Sequence, residues 1–386
     1  MVTTTEKSGK SIAAILAEKG LDGNSRYWRQ RLAEVSDRQV EQALAMPAGL
    51  YRPEKLLALV SPAAERYLEQ MARQARRLTI QRFGKTVRLY APLYLSNYCV
   101  NSCRYCGFNS KLSFERTRLT VEQAVKEAEL IASQGLRDIL LVSSEDRRFI
   151  GVDYLSELAR KLRERFSFIA MEIYSLSRAG YERLFKAGIE GVTLYQETYD
   201  RGLYRYYHPA GPKADYDDRL DAPGRIGSAG MREIGLGVLL GLGDWRIESL
   251  ALAEHAHYLM RRYWRSHISF SFPRIRPASA VSDRQFRRLS DRNLVQMITA
   301  LRLCFGDAGL VLSTREPAWL RDRLIGLGIT KTSAGSKTSP GGYCGGGSLR
   351  QFEVDDNRRV CEVADAIRSS GLEPVWKDWD RGFVQD

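Results

Sequence analysis

The sequence predicts an α/β fold, a TIM-type (β/α)8 barrel with a helical N-terminal extension and a short C-terminal tail. Three observations lead to this prediction. Eight short segments read as strands, helical segments lie between them, and unusual polar residues cluster where the strands end. In such a barrel these strand ends all face one mouth, which is where chemistry takes place.

The chain is predicted to divide into a helical extension over residues 1–80, the barrel over 81–371 and a tail over 372–386. In the extension, SPAAERYLEQMARQARRLTIQRFG has apolar residues at helical spacing, with Ser61 as its expected N-cap. After the first strand, TVEQAVKEAELIASQGL is a helix with Thr120 and Gln123 as a capping box and Gly135 as its stop. The predicted strands are TVRLYAPLYL, RDILLVSS, FIAMEIYSL, GVTLYQETY, EIGLGVLLGL, HISFSFPR, GLVLSTRE and GITKTSAGS.

Composition bounds the class of protein. At 386 residues and 44% hydrophobic content the chain can bury a full core. It has no apolar run long enough for a membrane span and no signal peptide, and its six cysteines are too few for a disulfide scaffold, so a cytoplasmic location is expected. The net charge of +13 attracts anionic substrates and acidic proteins as well as nucleic acid, which is not the favoured partner.

The most informative motif follows the first predicted strand. Cys99, Cys103 and Cys106 are spaced C-x₃-C-x₂-C, and no fourth cysteine follows nearby. Three thiolates in one loop suit a [4Fe-4S] cluster, whereas structural zinc needs a fourth Cys or His. A cluster held by three cysteines leaves one iron open to a small molecule. The histidines all lie far along the chain, at His208, His255, His257 and His267.

This cysteine spacing after a first barrel strand resembles the radical S-adenosylmethionine superfamily. Over about residues 45–380 the resemblance becomes more specific. A series of segments there is similar, in the same order along the chain, to those of the radical tyrosine lyases, the 2-iminoacetate synthase family. It implies cleavage of L-tyrosine at Cα–Cβ to 2-iminoacetate and p-cresol for thiamine thiazole biosynthesis, with release of 5′-deoxyadenosine and methionine. The segments are PLYLSNYCVNSCRYCGF, LYQETYDRGLYRYYH, IGLGVLLGL, YWRSHISFSFPRIRP, LSTREPAWLRDR, SKTSPGGY and GLEPVWKDWD.

The resemblance implies several residues that bind S-adenosylmethionine. Glu145 would accept hydrogen bonds from the ammonium group, although Ser144 stands where superfamily members usually have glycine. Glu197 would hold the ribose, and Arg219 the methionine carboxylate. A solvated loop acid, a surface arginine and simple packing glycines are the open alternatives. The other expected cofactor-binding residues are Tyr105, Phe108, Glu172, Gln196, Gly237 and Leu239.

The substrate's carboxylate needs a cation inside the barrel. Arg315 of STRE is the first choice and Arg276 of PRIRP the second. Ser333 is expected to share the carboxylate or amine, Tyr94 to lie against the substrate and His267 to contact the phenol. A strand-end ion network, core packing and a structural histidine are the corresponding alternatives.

The remaining cysteines are not expected to bind a second cluster. Cys304 and Cys361 lie on apolar helix faces and are predicted core residues, and Cys344 lies in a glycine-rich run. The resemblance also implies complex formation with a thiazole synthase and reduction by a flavodoxin- or ferredoxin-type electron donor. Rival functions are a lyase for another aromatic amino acid such as tryptophan, an RNA-modifying radical enzyme, and a structural iron–sulfur or zinc protein.

Overall fold

In the computed structural model, which describes residues 10–278, 286–287 and 289–378, eight parallel strands close into a barrel. The strands of the described residues are β1 (Thr86–Ser96), β2 (Asp138–Ser143), β3 (Phe168–Glu172), β4 (Gly191–Thr193), β5 (Glu233–Gly237), β6 (His267–Ser271), β7 (Gly309–Leu312), β8 (Lys331–Ser333) and β9 (Glu373–Val375). Each of β1 to β7 pairs with the next strand, and β8 pairs with β1, which closes the barrel. This confirms the predicted TIM-type barrel.

Helices precede the barrel and connect its strands. In the described residues these are α1 (Ile12–Lys19), α2 (Ser25–Ala33), α3 (Asp37–Ala45), α4 (Pro53–Val60), α5 (Leu68–Phe83), α6 (Val121–Ser133), α7 (Val152–Leu162), α8 (Arg178–Ala187), α9 (Arg201–Tyr207), α10 (Tyr216–Ser228), α11 (Trp245–Arg262), α12 (Asp291–Cys304), α13 (Ala318–Ile325) and α14 (Val360–Ser369). The predicted capping box of Thr120 and Gln123 starts α6, and Gly135 follows its end with φ +92°. None of the described helices is long and apolar enough to cross a bilayer.

The five helices before β1 pack on the outside of the barrel, where α4 and α5 contact α12 and α1 contacts α10 and α11. The prediction that Ser61 is a helix N-cap is wrong. A 3₁₀ turn over Pro62–Tyr67 precedes α5, and the Ser61 side chain caps neither helix. Its hydroxyl instead donates to the carbonyl of Ala58 at 2.7 Å, because the preceding helix ends there with an open acceptor.

The tail contains β9, which the sequence did not predict. This strand pairs in parallel with the start of β1, at Thr86↔Glu373 and Arg88↔Val375. The eleven residues of β1 make this possible, because β2 pairs with it only from Ala91 onward and leaves its first residues free to pair with β9. The sheet therefore carries a ninth strand beside the barrel's amino-terminal end.

The interior of the barrel is charged at its amino-terminal end, although such interiors are usually filled by branched apolar residues. Arg88 Nε lies 3.1 Å from Asp138 Oδ2, and Lys331 Nζ lies 3.6 Å from Glu233 Oε2. These two cations and two carboxylates balance one another. The candidate site lies at the opposite end of the barrel, where the strands end.

Candidate active site at the mouth of the barrel

A cavity opens at the carboxyl ends of the strands, and every one of the eight connections after β1 to β8 contributes to its wall. This follows from the topology, because parallel strands bring all their following loops to one side. Most of the residues selected from the sequence line this cavity. They are Cys99, Cys103, Tyr105, Cys106, Phe108, Ser144, Glu145, Glu172, Glu197, Arg219, Leu239, Arg276 and Arg315.

The three cysteines lie in the loop between β1 and α6. Burial raises the pKa of the Cys103 thiol to about 12, although the charge of Lys213 opposes this. Thiols of such high pKa become thiolates only beside a strong positive charge, which iron supplies. No group of three or more His, Cys, Asp and Glu side chains in the described part of the chain is arranged to hold a single metal ion. Three cysteine thiols in one loop fit a [4Fe-4S] cluster, whereas structural zinc is almost always held by four ligands.

Asn101, inside the cysteine motif, connects three parts of the site. Its Nδ2 donates to Glu145 Oε2 at 2.7 Å and lies 3.7 Å from Cys99 Sγ, while its Oδ1 accepts the N–H of Lys213 at 2.9 Å. The other carboxylate oxygen of Glu145 accepts from Arg147 Nε at 2.6 Å. The acid predicted to bind the cofactor's ammonium group is thus buried and fixed against the cluster loop.

Ser144, which replaces the usual glycine, ties the end of β2 to the cluster loop. Its hydroxyl contacts the carbonyl of Tyr98 and lies 3.1 Å from that of Ser96. Its backbone N–H donates to the Ser96 carbonyl at 3.3 Å. The substitution therefore adds side-chain contacts to the loop that bears the cysteines.

Glu197 has an unusual backbone and a strongly cationic environment. It is the only non-glycine among the described residues with positive φ, at 70°. Lys213 Nζ lies 2.6 Å from Glu197 Oε1, and Arg219 Nη2 lies 3.8 Å from it. Burial alone would raise the pKa of Glu197, but these two cations lower it below its usual value. Glu197 is therefore an ionised acceptor that faces the cavity.

Tyr105 has its hydroxyl orientation set by His208. The His208 Nδ1 donates to the carbonyl of Tyr204 at 2.8 Å, because a carbonyl only accepts, and this leaves Nε2 to accept from the Tyr105 hydroxyl at 2.9 Å. Burial lowers the pKa of His208 to about 3, so the ring stays neutral. The aromatic ring between two cluster cysteines is thereby held in one position.

Arg315 and Glu172 line the same cavity without partners of opposite charge. No described carboxylate lies within ion-pair distance of Arg315, and no described cation within that distance of Glu172. The guanidinium of Arg315 stacks 3.5 Å from the centre of the Phe352 ring. Burial raises the pKa of Glu172, although the more distant charge of Arg315 opposes this. Arg276 differs, because it pairs with Asp355 at 2.7 Å and Glu316 at 3.4 Å.

Four selected residues lie close behind the cavity wall. Tyr94 donates its hydroxyl proton to Gln351 Oε1 at 2.7 Å, and Ser333 Oγ accepts the N–H of Thr314 at 3.1 Å. The buried side-chain amide of Gln196 has no hydrogen-bond partner among the described residues. A side chain on Gly237 would overlap the Tyr195 ring, so this glycine permits close packing in the wall. None of the four lines the cavity itself.

The structure contradicts the predicted contact between His267 and a substrate phenol. His267 begins β6 and therefore lies at the amino-terminal end of the barrel, opposite the cysteines. It is exposed, and its Nε2 lies 2.9 Å from the carbonyl of Asp307. The first residue of a barrel strand cannot reach a site built at the strand ends.

Sequence reasoning missed several residues of the cavity wall. Lys213 comes from the connection between β4 and α10, and Gln351 and Phe352 come from the long segment after β8. Tyr195 belongs to the predicted fourth strand, and its residue type alone indicates no role in the site. Asn101 alone had a usable signal, because it is a polar residue enclosed by the cysteine motif.

The other cysteines are single free thiols. Cys304 is buried as predicted, whereas Cys361 is exposed and the prediction that it belongs to the core is wrong. It lies on the outer side of α14, whose buried face consists of Val360, Val363, Ala364 and Ile367. Cys344 is exposed, and its N–H donates to Glu127 Oε1 at 2.6 Å.

Comparison with known proteins agrees with this geometry. Residues 93–253 match the Radical SAM superfamily, and residues 271–373 match the Biotin and Thiamin Synthesis associated domain. The chain is 44% identical over 354 residues to the 2-iminoacetate synthase of Escherichia coli (strain K12), covering 91% of this chain and 93% of that protein. The 2-iminoacetate synthase of Salmonella typhimurium (strain LT2) matches to the same extent.

Similarity to solved structures supports the same family. The FeFe-hydrogenase maturase HydG from Carboxydothermus hydrogenoformans superposes with a TM-score of 0.83 at 31% identity, covering 95% of this chain and 86% of that chain. Methylornithine synthase, at 21% identity and a TM-score of 0.69, shares the fold. With similarity across nearly its whole length and the three cysteines at the mouth of its barrel, the chain belongs to the 2-iminoacetate synthase family of radical S-adenosylmethionine enzymes.

Proposed function

We propose that this protein cleaves the Cα–Cβ bond of L-tyrosine to give 2-iminoacetate and p-cresol, with release of 5′-deoxyadenosine and methionine. The observation that carries the substrate class is the pair formed by Arg315 and Glu172. A cation and an acid that line one cavity but form no ion pair with each other or with another described residue are complementary to the carboxylate and ammonium of an α-amino acid.

The residues present fit the family's two cofactors. Cys99, Cys103 and Cys106 would hold a [4Fe-4S] cluster, and the raised thiol pKa values of Cys103 and Cys106 suit a cationic ligand. When bound, the reduced cluster and S-adenosylmethionine supply a carbon-centred radical that removes a hydrogen atom from the substrate. The protein's own task is to bind, orient and shield the reactants.

Three polar groups would orient S-adenosylmethionine along the wall. Glu145 would accept from the ammonium group, since its carboxylate is fixed beside the cysteine loop by Asn101. Glu197 would accept from the ribose hydroxyls, because its neighbouring cations keep it ionised. Arg219 donates through Nε to the Tyr195 carbonyl at 2.9 Å, which leaves its other nitrogens for the methionine carboxylate.

The substrate would lie beyond the cofactor. Arg315 would bind its carboxylate, with the guanidinium plane fixed by Phe352, and Glu172 would accept from its amino group. The segment that carries Gln351 and Phe352 crosses the mouth, where the carbonyl of Gln351 lies directly against Gly107 of the cysteine loop. This crossing shields the reacting groups from water, which a radical reaction requires.

We further infer two protein partners. The unstable imine product favours direct transfer to a thiazole synthase, the partner that the family resemblance implies, and the matched Biotin and Thiamin Synthesis associated domain supports this pathway. The basic charge of +13 suits an acidic flavodoxin- or ferredoxin-type donor. Free thiols at all described cysteines fit work in the reducing cytoplasm. Reduction of the cluster should then slow strongly as salt rises, and a rate insensitive to salt would contradict electrostatic docking.

The assay compares two substrates. Anaerobically reconstituted protein is incubated with S-adenosylmethionine, a reductant, and either L-tyrosine or L-tryptophan. We expect p-cresol and 5′-deoxyadenosine in equal amounts with tyrosine and no cleavage of tryptophan. Deoxyadenosine without substrate cleavage, or indole-type products from tryptophan, would refute the proposal.

A further inference from the structure

Glu248 is a buried carboxylate that the proposed reaction does not use. It lies in the first turn of α11 and is 6% exposed. None of the described cations lies within ion-pair distance of it, and the nearest acidic groups, Asp200 and Asp244, repel its charge. Burying a carboxylate without a neighbouring cation costs free energy, which hydrogen bonds to the carboxylate oxygens must offset.

Those hydrogen bonds go to the two residues that follow Glu197. Glu248 Oε2 accepts the N–H of Tyr199 at 2.8 Å, and Oε1 accepts the hydroxyl proton of Thr198. The Thr198 hydroxyl in turn accepts the N–H of Asp200 at 3.3 Å. One carboxylate therefore fixes the chain over three consecutive residues.

The turn that is fixed in this way is strained. Glu197 has φ +70°, and a non-glycine residue stays in this region only when the surrounding structure holds it there. The carbonyl of Glu197 accepts the N–H of Leu239 at 2.9 Å on one side. Glu248 holds the following residues on the other side, so the two contacts together set where the Glu197 carboxylate points.

The connection after β5 is shaped to admit Glu248. A side chain on Gly243 would overlap Glu248 Oε1, so a larger residue here would displace the carboxylate from its present position. Asp244 then caps the same helix through the N–H of Arg246 at 3.2 Å. Thr198 of the loop after β4 and Gly243 of the loop after β5 thus both lie against the buried Oε1 of Glu248.

We propose that Glu248 is a positioning residue for S-adenosylmethionine, which holds the strained turn so that Glu197 reaches the ribose. This inference rests on the proposed function, in which Glu197 binds that ribose. Glu248 itself touches neither cofactor nor substrate, since it lies outside the cavity wall.

The test is Glu248→Gln in cluster-loaded protein, with equilibrium dialysis of S-adenosylmethionine. The amide keeps an acceptor for Thr198 but turns an N–H group toward the N–H of Tyr199, so the hydrogen bond to that N–H is lost. We expect the dissociation constant to rise about tenfold. We also expect the iron content to stay close to that of the wild type and the melting temperature not to fall below it, which a merely structural role would not allow.

Glu254→Gln is the matched control. Glu254 lies on the same helix and is 7% exposed, but it pairs with Lys19 at 2.6 Å and Tyr51 at 2.7 Å, away from the Glu197 turn. We expect its cofactor affinity to equal that of the wild type. Equal weakening in both variants, or a Glu248→Gln affinity within twofold of the wild type, would overturn the inference.

Two further variants separate this inference from the proposed function. Thr198→Val removes the hydroxyl that Glu248 holds and should also weaken cofactor binding, so the inference stays testable if Glu248→Gln does not fold. Glu197→Gln tests the ribose role directly. If it weakens binding while Glu248→Gln and Thr198→Val do not, the positioning role is wrong and the proposed function stands. If Glu197→Gln leaves the cofactor affinity unchanged, Glu197 does not bind the ribose. That part of the proposed function is then refuted together with the positioning role of Glu248.

Discussion

Replacement of Arg315 by glutamine is expected to weaken tyrosine binding while the affinity for S-adenosylmethionine stays unchanged. Arg315 is stacked on Phe352, donates one long bond of 3.5 Å to the Arg274 carbonyl, and has no carboxylate partner among the described residues. Removing one partner of a buried, hydrogen-bonded charge pair costs about 2–5 kcal/mol. Since each 1.4 kcal/mol is a factor of ten, the KM for tyrosine should rise roughly 30-fold to several thousandfold.

The assay measures p-cresol formation against tyrosine concentration at saturating S-adenosylmethionine. Arg276→Gln is the matched control, because Asp355 and Glu316 already engage that guanidinium. Arg315→Lys should fall between wild type and Arg315→Gln, since it keeps the charge but loses the planar pair of donors. A tyrosine KM that stays within threefold in Arg315→Gln, or a larger increase in Arg276→Gln, would show that Arg315 does not bind the substrate.

Three further predictions concern the cluster loop and Glu248. Cys103→Ala should lose iron and visible absorbance while its far-ultraviolet circular dichroism stays unchanged; full activity in this variant would contradict the cluster assignment. Asn101→Asp places a charge beside Glu145 and should weaken cofactor binding tenfold or more, whereas Asn109→Asp in the same loop should not, as equilibrium dialysis would report. Burial raises the pKa of Glu248 to about 7, so its contribution to stability is present below pH 4.5 and lost as pH rises through 7. Urea unfolding should therefore show Glu248→Gln gaining up to roughly 3 kcal/mol relative to wild type between pH 5 and 8, and no change with pH would refute the shift.

The order of elements was predictable because alternating strands and helices leave a periodic signal. The residues at which the strands end were harder to predict. The fourth strand was predicted through YQETY, but β4 ends at Thr193, before the chain turns at Glu197 with positive φ. Nothing in a glutamate predicts that conformation, because the bonds that hold it come from Leu239 and Glu248, which are distant in sequence.

The same limit applies to the site. Barrel topology brings strand-end residues together, so residues such as Arg315 could be selected from the sequence with the correct side of the barrel. Lys213 could not, since its backbone is held by Asn101, 112 residues away. His267 failed for a related reason: it was chosen for its residue type, although its place at the start of a strand puts it at the wrong end.

Glu172, at the end of β3, and Glu197, after β4, have different protonation tendencies, and this difference fits their proposed tasks. Glu197 is kept ionised by Lys213 and Arg219, as an acceptor for two neutral hydroxyls must be. Glu172 has a pKa raised by burial, with the charge of Arg315 opposing this. A substrate carboxylate bound to Arg315 would remove part of that opposing charge, so Glu172 would favour its neutral form unless an ammonium arrives beside it. The cavity should therefore accept the zwitterion as a unit, and a tyrosine analogue that lacks either the amino group or the carboxylate should bind much more weakly than tyrosine in the same dialysis assay.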